Sequence, residues 1–453
     1  MRFTSCCCCL VAGLWWSTFS NIWAAAPSLV IEGCAVFDPH SGSLLEDQTV
    51  VTEGRNIQLI LPASQLKEFP SGAEVIRGRG KFLIPGLIDA HVHVVHILDF
   101  AHMTGDEVLP LYLAAGVTSI RSTGDEVIAA TLVARTASRE SAYGPTLFTC
   151  SPLLDADPPI HSDIGKAVTS PGQVGSILDE LLPWNISTVK IYARTEREIG
   201  KRIIEEGHRR GLLITAHLGA YPAGQAIADG VDSLEHIISV YNYLTPEDIE
   251  KLEGNLEIDP LQIELIRLLV EHKTMVDPTL TVFRNMIHLS DAPEVAGHPD
   301  NGLAPQRLRD FWPQYLKRAG CPQGGALEER RKLFRNCQKL TELLHRAGVP
   351  ILCGTDSPEP QVTPGFSLHQ ELELLVESGL SPAEALRSAT LFNARALRQE
   401  EVIGSIAAGK SADFVLLSAN PLEEIRNTRR IEAVIRHGKL YRPEQLQALF
   451  PKE

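Results

Sequence analysis

The chain has 453 residues, 44% of them hydrophobic, enough to bury the core of a globular protein of two or three domains, or of fewer if one is a large α/β barrel. Lysine and arginine number 42 against 56 aspartate and glutamate, and the net charge of −14 argues against a surface built to hold nucleic acid or anionic lipid. Four of the nine cysteines are clustered at Cys6–Cys9, and Cys34, Cys150, Cys321, Cys337 and Cys353 are too few and too scattered for a disulfide scaffold or a CxxC zinc motif.

From the start, "MRFTSCCCCLVAGLWWSTFSNIWAAA" has one positive charge at Arg2, an apolar stretch and a small-residue end, the pattern of a signal peptide over residues 1–26. Ser17, Thr18, Ser20 and Asn21 interrupt the run short of the roughly 20 residues a span needs, so no membrane anchor is expected after processing. Its removal takes Arg2 and no acid, leaving a charge of about −15 on a protein expected to be exported, to a periplasm or the extracellular space.

Residues 27–82 hold short alternating runs, "SLVIEGCAVFD", "QTVVTEG" and "IQLIL", and similar runs return only in 396–453, in "ADFVLLSAN" and "IEAVIRHGKLYR". The economical reading is a small β-sandwich built from both termini around a larger domain at 83–395. That domain alternates apolar runs with helical patterns: "KFLIPGLIDA", "GVTSIRST", "PTLFTC", "STVKIYA", "GLLITAH", "VDSLEH", "TMVDPTL" and "VPILCGTD" are the candidate strands of an α/β (β/α)8 TIM barrel. Thr245 and Ser381, each followed by proline and then an acid, mark helix starts. An insertion near 283–335, rich in Pro, Gly and charge, is longer than a barrel connection needs and reads as a helical lid or side insertion.

In such a barrel the chemistry sits at the C-terminal strand ends. Strand alternation sends His91 and His93 of "DAHVH" to one face, the fourth strand carries Lys190, the fifth ends at His217, the sixth at His236 and the eighth at Asp356. Taken singly, each is as well explained as a core histidine, an edge lysine or a capping aspartate. One register nevertheless brings all six to the same mouth.

With "PGLIDAHVH", "VKIYA", "ITAHLG", "GVDSLEH", "CGTD", "SPAEALRSATLFNARAL" and "IGSIAAGKSADFVLLSANPL", nearly the whole mature chain resembles the amidohydrolase superfamily, in its imidazolonepropionase/prolidase-like branch with a carboxylated lysine. The resemblance implies two divalent metal ions: His91, His93 and Asp356 at one, His217 and His236 at the other, and a carbamate formed on Lys190 from CO2 bridging them together with a hydroxide. Nitrogen and oxygen ligands without thiolate suit zinc. Burial lowers a lysine pKa, and the neutral amine can add CO2. Asp356 is then the general base in cleavage of an amide or cyclic amide bond of a small molecule, such as a dipeptide or N-acyl amino acid.

His161, Tyr192, Arg194 and Tyr221 follow strands three to five and are candidate substrate contacts, Arg194 for a carboxylate. Two alternatives stand beside the hydrolase. A mononuclear deaminase lacks the fourth-strand lysine and places a glutamate after the fifth-strand histidine, whereas Leu218-Gly219-Ala220 follow His217. An inactive barrel kept as a binding protein should have lost part of the ligand set. The expected partner is a small molecule, with no nucleic acid, and a homo-oligomer is compatible with the sequence.

Overall fold

The computed structural model describes residues 28–254, 258–288, 299–319 and 324–451; the expected leader and parts of the expected insertion lie outside them. Eight segments follow one another in a closed parallel circuit. Leu87–Val92 pairs with Val117–Ser122, which pairs with Thr146–Phe148. After Thr149 the third segment resumes as Cys150–Asp155 and pairs with Thr188–Ile191, so it runs further than "PTLFTC" suggested. Leu213–Ala216, Ser233–Glu235 and Met275–Asp277 continue the sheet. The eighth segment closes it through bridges from Ile351 to Val276 and from Ser357 to Val92, supported by Ala90 N to Cys353 O at 3.1 Å and Leu352 N to Val276 O at 2.8 Å.

Every residue of Leu87–Val92, Val117–Ser122 and Cys150–Asp155 is buried. This is the pattern of parallel strands covered on both faces, and it encloses polar residues such as Asp89, His91, Arg121 and Asp155 along with the apolar ones. The covering helices bury one stripe each: Arg197–Arg209 turns Gly200, Ile203, Ile204 and Gly207 inward at helical spacing. Helices Pro246–Glu253 and Pro382–Arg387 start at Thr245 and Ser381 as their sequences indicate, with Asp248 and Glu384 completing capping boxes.

Strands from both chain ends pair into one eight-stranded sheet. Its hinge is Phe82–Pro85, which runs parallel to Ser28–Asp38 and antiparallel to Phe414–Leu417. Hydrogen bonding joins the strands of both chain ends into one continuous sheet, and its inner face closes on a core that includes Ile31, Val36, Val50, Phe414 and Ile435. Within the insertion, helix Gln306–Ala319 lies against the helices that follow the first segment: Phe311 stacks on Phe100 at 4.7 Å, and Arg307 reaches His102 O at 2.9 Å and Glu107. Among the described residues no helix is long and apolar enough to cross a membrane.

Candidate metal centre

The first segment delivers His91 and His93 side by side, with ring centroids 5.3 Å apart. His93 Nδ1 donates to Gly124 O at 2.8 Å, which leaves Nε2 as the free lone pair, 3.3 Å from Asp356 Oδ1. His91 Nδ1 lies 2.7 Å from Glu235 Oε2, and its Nε2 is also 3.3 Å from Asp356 Oδ1. That separation is close to the edge of a tetrahedron with bonds of about 2.0–2.1 Å. His236 is fixed through Nδ1 to Thr279 Oγ1 at 2.8 Å, and its ring stands 4.8 Å from that of His91 and 4.5 Å from that of His217.

His236 and Asp356 are held at φ of 66° and 63°, in the left-handed region that non-glycine residues enter at a cost. At His236 this conformation breaks strand alternation, so that Glu235 and His236, consecutive in sequence, both reach His91. Gly354 serves the same crowding, since a Cβ there would come within 2.2 Å of Asp277 Oδ2 and 2.6 Å of His91 Cβ.

Three buried atoms at this mouth have no hydrogen-bond partner: His91 Nε2, Lys190 Nζ and His217 Nδ1. Burial moves their groups toward the forms a cation needs. It brings the His91 imidazole down to about 4 and that of His217 to about 3, with Lys190 pushing both the same way. Burial likewise lowers the Lys190 amine, against the pull of Glu235 and with help from Arg121. For Asp356 burial works the other way but is outweighed by His91, His236 and His93, which hold its carboxyl well below the usual range. His93 rises to about 9 because its contact with Asp356 outweighs burial. Divalent metal ions require neutral nitrogens and a carboxylate, which the lowered His91 and His217 and the lowered Asp356 favour. His93, in contrast, would have to give up the proton that its contact with Asp356 holds. The ligand atoms of His91, His236 and Asp356 all lie within 4.8 Å of one another, so these residues can hold a divalent ion.

Beneath the ligands lies a shell that the motifs did not reveal. Arg121, 1% exposed, donates from Nε to Ala90 O and from Nη2 to Glu235 Oε1, both at 2.6 Å, and Glu235 holds His91. The one signal was a charged residue inside the apolar run "GVTSIRST". Asp277 ends the seventh segment with both carboxyl oxygens buried and unpartnered, and burial and Glu235 push it well above the usual range.

The candidate substrate contacts divide. Tyr192 and His161 belong to the mouth, with ring distances of 5.0 Å from Tyr192 to His217, 5.7 Å from His161 to Tyr192 and 5.3 Å from His161 to His96. Arg194 is exposed, and its Nη1 donates to Pro158 O at 3.1 Å, so the guanidinium turns to the rim instead of a bound carboxylate. Tyr221 also departs from expectation. Its hydroxyl donates to Asp229 at 2.8 Å and its ring fills the space beside Gly200, which ties it to the covering helices.

A family model for the amidohydrolase family matches residues 82–441. The chain belongs to that family. Imidazolonepropionase of Geobacillus kaustophilus (strain HTA426) is 25% identical to this amidohydrolase over 409 residues, 87% of this chain and 88% of that one. Among solved structures, a prolidase-like protein of Bifidobacterium longum superposes with a TM-score of 0.71 at 25% identity, covering 94% of this chain and 98% of its own. Bottromycin amidohydrolase, at 21% identity, shares the fold with a TM-score of 0.72 over 93% of this chain and 88% of its own. As a member of the family, this amidohydrolase is a metal-dependent hydrolase acting on carbon–nitrogen bonds of small molecules.

Proposed function

We propose that this amidohydrolase is an exported (β/α)8 barrel enzyme that holds two divalent ions, zinc by preference, and cleaves an amide or cyclic amide bond of a dipeptide, an N-acyl amino acid or a related small molecule. In this reading residues 1–26 are a leader, 27–82 and 396–453 form the β domain, and 83–395 form the barrel. The observation that carries it is the set of orphaned buried atoms around Asp356, on His91, Lys190 and His217, which cost stability unless a ligand satisfies them.

His91, His93 and Asp356 would hold one ion, His217 and His236 the other, and Lys190, as its carbamate, would join them. When bound, such ions supply Lewis-acid polarisation of the scissile carbonyl and acidify water. The chain's own residues do the rest. Glu235 keeps the His91 proton on Nδ1, and Gly124 does the same for His93. Asp356, anionic at neutral pH, accepts the proton of the attacking water and passes it to the leaving nitrogen. Tyr192 and His161 line the space that the scissile group enters.

Metal analysis of protein purified with zinc and bicarbonate, with turnover screened on N-acyl amino acids, dipeptides, lactams and lactones, tests the proposal. About two ions per chain with amide hydrolysis is the expected result. One ion per chain with ammonia release would give the mononuclear deaminase its place, and a metal-free protein would be a binding module.

A further inference from the structure

A cavity of about 520 Å³ opens where the third segment begins with Thr146–Phe148 and where Ser187 leads into the fourth. The metal centre lies at the C-terminal ends of the strands, so these first residues stand at the far end of the barrel. The size is that of a small-ligand pocket. Two further walls come from the end of helix Val127–Ala137, which brings Arg135, and the turn Leu182–Trp184, which brings Trp184.

The lining carries a single charge. It contains no aspartate or glutamate, although the chain has 56 acidic residues against 42 basic ones. Arg135 is exposed, and among the described residues no ion pair or hydrogen bond engages its guanidinium. The wall hydroxyls give their protons to the backbone: Thr131 to Trp184 O at 3.4 Å, Thr149 to Asn185 O at 3.2 Å and Ser187 to Thr149 O at 3.2 Å. The donors left over are the guanidinium of Arg135 and the side-chain N–H groups of Trp184, Asn185 and Gln399, none of them bonded among the described residues.

A second guanidinium stands behind the same wall. Arg436 is 5% exposed, donates from Nη2 to Thr146 Oγ1 at 3.4 Å, and has no partner for Nε. Asp413, whose charge acts on it, is engaged by Ser411 Oγ at 2.8 Å and His437 N at 2.6 Å. Two guanidiniums without a carboxylate partner therefore border a cavity that holds donors and no acid, which favours an anion. Trp184, half-buried, joins Leu147 and Phe148 in an apolar wall beside them.

We propose that this cavity is a second ligand site, which takes a small aromatic monocarboxylate: the carboxylate pairs with Arg135, and the ring lies against Trp184 and Phe148. One guanidinium in the lining matches one negative charge, and its planar fork fits a carboxylate bidentately. The site is separate from the metal centre and does not rest on the reaction assigned there.

The test is calorimetric titration of the metal-loaded full chain with 3-phenylpropionate, neutral 3-phenylpropan-1-ol and propionate. The aromatic acid is expected to bind about 10- to 100-fold more tightly than the alcohol, which cannot form the charge-assisted pair. Propionate, lacking the ring, should be weaker than the aromatic acid by at least about 10-fold. In Arg135→Gln the acid and the alcohol should come within about threefold of each other. Each titration is repeated with acetohydroxamate, a metal chelator, so that a carboxylate held at the metal centre betrays itself by displacement. Affinity that acetohydroxamate leaves unchanged and Arg135→Gln removes is the expected result. Displacement by acetohydroxamate, an acid no tighter than the alcohol, no saturable binding, or an undiminished preference in Arg135→Gln would overturn the site while leaving the metal centre standing. A fluorescence change on binding that disappears in Trp184→Phe places the ligand even if Arg135→Gln folds poorly, and one that persists in Trp184→Phe would place it elsewhere and overturn the proposal.

Discussion

Asp89 and His91 are neighbours on the same face of one buried segment, both fully enclosed, yet their surroundings are opposite in kind. Asp89 accepts from His91 N at 3.2 Å, Thr355 N at 3.1 Å and Thr355 Oγ1 at 2.7 Å. Nearby, Asn393 accepts from Cys353 N at 3.1 Å and donates to Ile88 O at 2.7 Å and Cys353 O at 2.8 Å. These bonds join the eighth segment to the first and leave the side chains of Asp89 and Asn393 satisfied. In the layer above, His91 Nε2, Lys190 Nζ and His217 Nδ1 are buried and have no hydrogen-bond partner. Burial of a neutral polar group is costly mainly when it is unpaired. A satisfied layer is structure complete in itself, and an orphaned one is a site awaiting its ligand.

The sharpest way to break this contrast is Lys190→Ala. If the amine becomes a shared anionic ligand, its loss should remove at least one ion and lower turnover by more than about 1,000-fold, with partial recovery of both when acetate or propionate is added. Full metal content and turnover in Lys190→Ala would end the bridging role. Asp356→Asn should instead keep most of its metal and still lose activity on that scale, because an oxygen ligand remains while the proton acceptor is gone. Near wild-type turnover would show that the proton goes elsewhere.

In the lower layer, Asn393→Ala should leave Cys353 N unpaired and remove the bonds from Asn393 to Ile88 O and Cys353 O, the latter still held by Ala90 N, costing about 1–3 kcal/mol of stability in denaturant titration. Metal affinity of the folded protein should be unchanged. A large loss of affinity with little loss of stability would reverse the roles assigned to the two layers. Glu235→Gln probes the seam between them, since its carboxylate ties Arg121 to His91. It should weaken metal binding about 10- to 100-fold, read by competition with a chelator, while the fold persists.

Much of the upper layer was legible in the sequence because strand ends are local features. His91, His93, Lys190, His217, His236 and Asp356 each stand at or near the end of an apolar run, and eight such runs have one plausible arrangement. The supporting shell was not legible, because it is made by pairings between distant positions. Arg121 meets Glu235 across 114 residues, and Glu235 meets His91 across 144. Loop direction was likewise hidden. Arg194 and Tyr221 follow the correct strands, but bonds to Pro158 O and Asp229 aim them elsewhere. The terminal strands could be read as one β unit, whereas its single-sheet pairing depends on how Phe82–Pro85 joins both ends.

Glu371 sharpens the comparison, because it is hydrogen-bonded and still costly. From helix Ser367–Glu377 its carboxyl accepts from Leu280 N at 2.9 Å and Thr281 N at 2.7 Å, holding the start of helix Leu280–His288. Burial nevertheless raises it from 4.5 to about 7, against the pull of those two bonds. A carboxyl whose folded value lies above its unfolded one takes up a proton on folding. Its contribution is therefore fully present below about 4.5 and is lost as pH rises through about 7, with a slope of up to about 1.4 kcal/mol per pH unit between them. Glu371→Gln does not titrate and turns an amide N–H toward a backbone donor, so it should be less stable than wild type at pH 5. By pH 8 the gap should narrow, as the wild-type carboxylate is forced to ionise while buried. Denaturant midpoints of the metal-free proteins at the two pH values measure this. Parallel pH profiles would mean that the hydrogen bonds from Leu280 and Thr281 fully offset the burial of the charge, and that a satisfied acid here costs nothing.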